Sequence, residues 1–244
     1  SEKTGVNIIT ATGFYIESSW MGRFDGWKTA DFYNRIMDEF ENGIEGTGIK
    51  PGCIKIALSS FTQREEMSLR AGGQAAKSIT VHPCGQGGGE PGKVVEILKE
   101  EGVPAEKIVI AHVPMANNRG LSEMIRYPEL WALNLDVAKS ILAEGANISV
   151  EFMSGQIDLE ALGSQSNPDY MKLAGLVKLI NEGHCRQMVL GTDMCVKTMT
   201  RRCGGEGYCR LTKFAVPALK QYGGVSDYAV RSIMIENPAR ILAY

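Results

Sequence analysis

The sequence predicts an α/β protein, a TIM-type (β/α)8 barrel, with six strands in these residues. Three observations carry this. Short apolar runs of strand length alternate six times with segments of helical period, which is the pattern of a parallel sheet with crossover helices. The βα units all follow one plan, with no linker, low-complexity stretch or shift of composition, so residues 1–244 read as one domain. The first strand is followed by TGFYIESSW instead of the G-x-G-x-x-G that a dinucleotide-binding sheet requires.

The elements follow in order. Residues 6–13 (VNIITATG) form a β-branched strand ending in glycine, and residues 29–42 (TADFYNRIMDEFEN) a helix. The apolar run 53–58 (CIKIAL) is a buried strand with Lys55 at its centre, followed by a helix over 63–77. A strand at 78–83 (SITVHP) precedes a helix at 93–101. Strand 107–113 (KIVIAHV) leads through a long insertion to a helix at 137–144. Strand 147–153 (NISVEFM) is paired with the helix 169–182, strand 187–193 (QMVLGTD) with the helix 211–222, and a last helix spans 227–242.

Composition narrows the function. With 244 residues, 44% hydrophobic and 22% charged, the chain is an ordinary globular protein, and its net charge of −2 offers nothing to nucleic acid or an anionic membrane. No apolar run approaches the roughly 20 residues of a membrane span. The six cysteines follow no disulfide-framework spacing, and Cys203 and Cys209 stand too far apart for a CxxC knuckle. Reduced thiols and a cytoplasmic location are the expectation.

Each of four strands carries one polar residue toward its C-terminal half: Lys55, His82, His112 and Asp193. In a barrel of this kind that end is where chemistry sits. Alternation places Ser78, Thr80 and His82 on one face, as it does Ile108, Ile110 and His112, and Val189, Gly191 and Asp193. Two strand-end histidines, an aspartate and a buried lysine point to a metal centre. The third histidine, His184, precedes the last strand and belongs to the opposite end.

GIEGTGIKPGCIKIA, ITVHP, IVIAH, VLGTD and the closing ENPARIL, in that order over nearly the whole chain, resemble the phosphotriesterase-like branch of the amidohydrolase superfamily. The resemblance implies a binuclear metal-dependent hydrolase, with two divalent ions, zinc in the first instance. It implies that Lys55 carries a carbamate bridging the two metals, which answers why a lysine stands in an apolar strand. His82 and His112 would hold the more exposed metal, while Asp193 would bind the buried one and shuttle a proton. A metal-activated hydroxide would attack a carbonyl or phosphoryl centre of a small molecule, first of all a lactone or ester. Phosphorylated sugar lactones and N-acyl compounds are the alternatives within the class. From a different class, a non-catalytic barrel that binds a ligand or partner is the competing reading.

Two departures from the family pattern matter. The His-x-His of the family's first strand does not occur in these residues, and the resemblance makes the six strands present strands 3 to 8 of the barrel, so the expectation is a longer chain, or a partner segment supplying the two missing strands. Relatives that open phosphorylated sugar lactones carry an arginine three residues after the aspartate, where this chain has Val196 with Lys197 beside it. Lys197, Arg201, Arg202 and Tyr208 in that loop, and Tyr15 after the first strand, are the candidate substrate contacts. Gly87 to Lys93 fits G-x-x-x-x-G-K, but Val94 replaces the required hydroxyl, so the segment reads as a glycine-rich loop. A homodimer is a further expectation.

Overall fold

The computed structural model describes residues 3–76, 79–83, 91–117, 126–127, 129, 132–152 and 169–243. Most of the glycine-rich loop, residues 84–90, lies outside them. Two compact units emerge, one of Ser1–Ile110 with Ile241–Tyr244, the other of Ala111–Arg240.

In the first unit four parallel strands pair in chain order: β1 (Ala11–Thr12), β2 (Cys53–Leu58), β3 (Ile79–Pro83) and β4 (Ile108–Ile110). A helix follows each of the first three: α1 (Thr29–Asn42), α2 (Gln63–Ala75) and α3 (Pro91–Glu100). Helix α1 buries Phe32 and Ile36, one turn apart, and its Asp31 carboxylate accepts from the Lys28 backbone N–H (2.8 Å). Helix α2 starts where the Thr62 hydroxyl accepts from Glu65 N (3.1 Å). β1 holds two residues where eight were expected. Val6, Ile8 and Ile9 are exposed, since β-branched residues form a strand only against a partner, and none pairs with them among the described residues.

The second unit has parallel strands β5 (Asn147–Glu151) and β6 (Met188–Gly191), in register from Ile148↔Met188 to Glu151↔Gly191. α4 (Asp136–Ala143) leads into β5, and α5 (Asp169–Asn181) connects the two strands. After β6 the chain passes through short 3-10 turns to a π-turn, Leu211–Ala215, and α6 (Val216–Gln221). α7 (Asp227–Arg231) continues through a second π-turn, Ser232–Glu236, into α8 (Asn237–Leu242). Buried Asn237 donates through Nδ2 to the carbonyls of Cys185 (2.8 Å) and Met188 (2.7 Å). Arg240 donates to Asn147 Oδ1 and to the Arg186 carbonyl, both at 2.9 Å. The ENPARIL segment thereby ties the C-terminal helix to the N-terminal ends of β5 and β6.

Parallel strands alternating with helices make this a TIM-barrel-type α/β fold, and among the described residues neither unit's sheet closes on itself. No helix there is long and apolar enough to cross a membrane.

Candidate active site

Two of the expected site residues meet in the second unit. His112 and Asp193 each lie two residues beyond a strand, after β4 and β6, with positive φ (56° and 40°). The strands end earlier than the sequence indicated, so alternation does not extend to either residue. What aims them is a left-handed backbone step, which costs a non-glycine residue of order 1–3 kcal/mol and clusters at functional sites. The half-buried side chains approach with His112 Nε2 3.8 Å from Asp193 Oδ2, too far for a hydrogen bond.

Behind His112 stands a carboxylate that the sequence reading passed over. Glu151, at the end of β5 and 8% exposed, accepts from the His112 backbone N–H through Oε2 (2.8 Å) and lies 3.3 Å from His112 Nδ1. Its other oxygen accepts from the Ser149 hydroxyl. Gly191 makes room for it, as a Cβ there would stand 3.3 Å from Glu151 Cγ. The Glu151 carbonyl accepts from buried Lys172 Nζ (2.8 Å) on α5, which also reaches Asp169 (3.5 Å), and Asp169 pairs with Arg210. Burial pushes the Lys172 amine below the usual lysine range, and the Asp169 carboxylate opposes that shift. A signal for Glu151 did exist: Asn147, Ser149 and Glu151 alternate along a fully buried strand, where three polar residues demand partners.

The first unit holds the other two. Lys55 pairs in register with Thr80, and His82 with Ala57, so they lie two register positions apart on neighbouring strands β2 and β3. Lys55 was expected to be buried but is exposed, although Ile54 and Ile56 on the opposite face and Ala57 on its own are fully buried. Its carbonyl is approached closely by Gly13 (φ 127°), where a Cβ would stand only 2.1 Å away. Tyr15 is 50% exposed, while its neighbour Phe14 turns inward onto Trp20, Phe24, Trp27 and Phe32 in edge-to-face contacts. His184 sits in the turn His184–Gln187 ahead of β6, at the end of that strand away from Asp193, with Nδ1 3.5 Å from Gln187 Oε1.

Lys197, Arg201, Arg202 and Tyr208 are all exposed on the loop that follows Asp193. The cations this unit buries among the described residues are instead Lys172 and Arg210, both engaged by Asp169.

No three His, Cys, Asp or Glu side chains among the described residues form a ready-made metal cage. The donors present nevertheless suit a divalent cation. An imidazole nitrogen and a carboxylate oxygen 3.8 Å apart can share one ion about 2.0–2.2 Å from each. A histidine whose second nitrogen faces a carboxylate is the arrangement metal-binding imidazoles favour.

A family model described as the Phosphotriesterase family matches residues 1–242. The chain belongs to the phosphotriesterase family. Members of this family are generally binuclear metal enzymes, and hydrolysis is its reaction class. An N-acetyltaurine hydrolase from Xenopus tropicalis is 27% identical over 250 residues, covering 100% of this chain and 67% of that protein. The chain thus spans about two thirds of the length of that curated relative. Among solved structures, the Escherichia coli phosphotriesterase homology protein, complexed with phosphate in its active site, superposes with a TM-score of 0.79 at 22% identity. The alignment covers 99% of this chain and 76% of that one. A resiniferatoxin-binding protein from Rhodobacter sphaeroides gives 0.80 at 24% identity, covering 99% and 64%. These two likenesses bear on the fold alone.

Proposed function

We propose that this phosphotriesterase-family chain hydrolyses a carbonyl substrate at a divalent metal centre, and that the substrate is an N-acyl amide bearing an anionic group. The observation that supports it most is the approach of His112 Nε2 to Asp193 Oδ2, two aimed donors just beyond β4 and β6. The amide ranks above the lactone or ester first expected, because the Xenopus relative is named for N-acetyltaurine, an amide with a sulfonate.

In this reading His82, His112, Asp193 and Lys55, the last as its carbamate, would hold the metals. When bound, the metals polarise the scissile carbonyl and lower the pKa of water. Asp193 Oδ2 receives the proton released by the attacking water and passes it to the departing nitrogen. His112 is kept in place by Glu151 while this happens. Lys197, Arg201 and Arg202, exposed on the loop after β6, attract the anionic end of the substrate, with Tyr208 and Tyr15 as further contacts.

The test is hydrolysis of N-acetyltaurine, an N-acetyl amine without charge, and a simple lactone by the full-length protein, with and without chelator. Cleavage of the anionic amide that is lost on chelation supports the proposal. Preference for the lactone overturns the substrate assignment. Hydrolysis that survives complete metal removal overturns the metal centre, and absence of both metal and activity supports the non-catalytic binding barrel.

A further inference from the structure

We infer that Glu151 is a positioning residue. It fixes His112 as the tautomer protonated on Nδ1 and thereby presents Nε2 as the metal-binding nitrogen. The inference rests on His112 being a metal ligand, as proposed above, and adds to it a residue that acts through the imidazole.

Three contacts leave Glu151 little choice of orientation. Oε2 accepts the His112 backbone N–H at 2.8 Å, Oε1 accepts the Ser149 hydroxyl, and the residue's own carbonyl is gripped by Lys172 Nζ at 2.8 Å. Packing against Gly191 closes the remaining side. The oxygen that takes the His112 amide also lies 3.3 Å from the same residue's Nδ1, so backbone and ring are addressed by one atom. A carboxylate only accepts hydrogen bonds, and an imidazole facing one therefore keeps its proton on the near nitrogen. Nε2, 3.8 Å from Asp193 Oδ2, is then the nitrogen with a lone pair for a cation. The positive φ of His112 suits the arrangement, since it turns amide and ring toward the same carboxylate.

Glu151→Gln separates this role from simple packing. The amide has nearly the same size, but it can accept from a protonated Nδ1 or donate to a bare one, so it no longer imposes a tautomer. The experiment is ¹⁵N NMR of the histidine rings in the full-length protein without added metal, with His112 assigned by its loss in His112→Asn. Wild type is expected to show His112 as the Nδ1–H form and Glu151→Gln a mixture of both forms. Titration with Co²⁺, followed by its visible absorption, should give about 10- to 100-fold weaker binding in Glu151→Gln, the usual cost of losing an outer-shell partner. Glu151→Asp, which withdraws the carboxylate by one methylene, serves where the glutamine variant does not fold, and should also lose the Nδ1–H bias. A folded variant that keeps the wild-type tautomer overturns the inference. Failure of the metal reading is seen separately: His112→Asn would then bind Co²⁺ as wild type does, whatever the tautomer of His112 in the parent.

Discussion

Glu65 offers a quantitative test of how the first unit holds its strand ends. This carboxylate is fully buried on the first turn of α2 and takes four donors: Ser59 N (3.0 Å), Ser60 N (3.2 Å), Glu17 N (3.1 Å) and Ser59 Oγ (2.7 Å). It thereby fixes the turn directly after β2, the strand of Lys55, where Phe61 has φ of 53°. A hydrogen bond to a charged group contributes about 1.5–3 kcal/mol, so a simple sum over the four donors would reach about 6–12. Such contacts are not additive, and in Glu65→Ala water reaches some of the stranded donors, so a loss of about 3–5 kcal/mol is expected, as for other broken buried networks. Glu65→Gln keeps one accepting oxygen and should lose about half as much. Glu66→Gln, which touches only the partly exposed Arg70, is the control and should cost less than about 1 kcal/mol.

Urea denaturation of the three variants measures this, and its pH dependence gives a second check. Burial works to raise the Glu65 carboxyl pKa, but the Ser59 hydroxyl and the amides of Glu17 and Ser59 outweigh it, holding the group below the ordinary 4.5. A carboxyl depressed in the folded state contributes its stability above the unfolded pKa and loses it as pH falls through the folded one. The advantage of wild type over Glu65→Gln should therefore be full at neutral pH and shrink below about pH 4.5. A loss under about 1 kcal/mol in Glu65→Ala, or an advantage over glutamine that grows in acid, would refute the reasoning.

Other perturbations have equally definite outcomes. His82→Asn and His112→Asn should each lower kcat/KM by orders of magnitude, while His184→Asn changes it less than about tenfold; equal losses in all three would remove the ligand assignment. Asn237→Ala strands the carbonyls of Cys185 and Met188 and should destabilise the second unit by about 2–3 kcal/mol in thermal or urea melts. Gly13→Ala should fail to fold or lose more than about 3 kcal/mol, since its Cβ would collide with the Lys55 carbonyl in a backbone conformation that disfavours alanine. Lys197→Met should slow an anionic amide about 10- to 100-fold more than its uncharged analogue, the worth of one charge-assisted contact; equal slowing would show that the loop is no anion clamp.

The regular elements were the legible part. Helix α1 runs over the residues its apolar spacing indicates, and β2 over the six residues of CIKIAL. Both are decided by local patterns, a 3.6-residue period in one case and a short, largely apolar run of strand length in the other. The strand ends were less so. His112 and Asp193 were recognisable by residue type, but the left-handed steps that aim them follow from tertiary packing and leave no periodic trace. Lys55 was read as buried because its neighbours are apolar, yet adjacent residues in a strand point to the opposite face, and even on its own face burial changes from Lys55 to Ala57. Glu151 was overlooked because a lone glutamate at a strand end resembles a solvent-facing terminus. Its alternation with Ser149 and Asn147 showed that it points inward with them. The expected anion contacts were picked by charge alone, and charge does not separate an exposed loop cation from buried Lys172 or Arg210.

The central claim is that Lys55, His82, His112 and Asp193 hold metal for hydrolysis. Its most direct test is the metal content of the full-length protein after loading with zinc and bicarbonate. Elemental analysis would be run on wild type, Lys55→Ala and His112→Asn, each shown by circular dichroism to be folded. The account predicts about two zinc ions per wild-type chain, as in other two-metal hydrolytic sites, and about one or none in each variant. Wild type that retains no zinc, or variants that retain the wild-type amount, would contradict it.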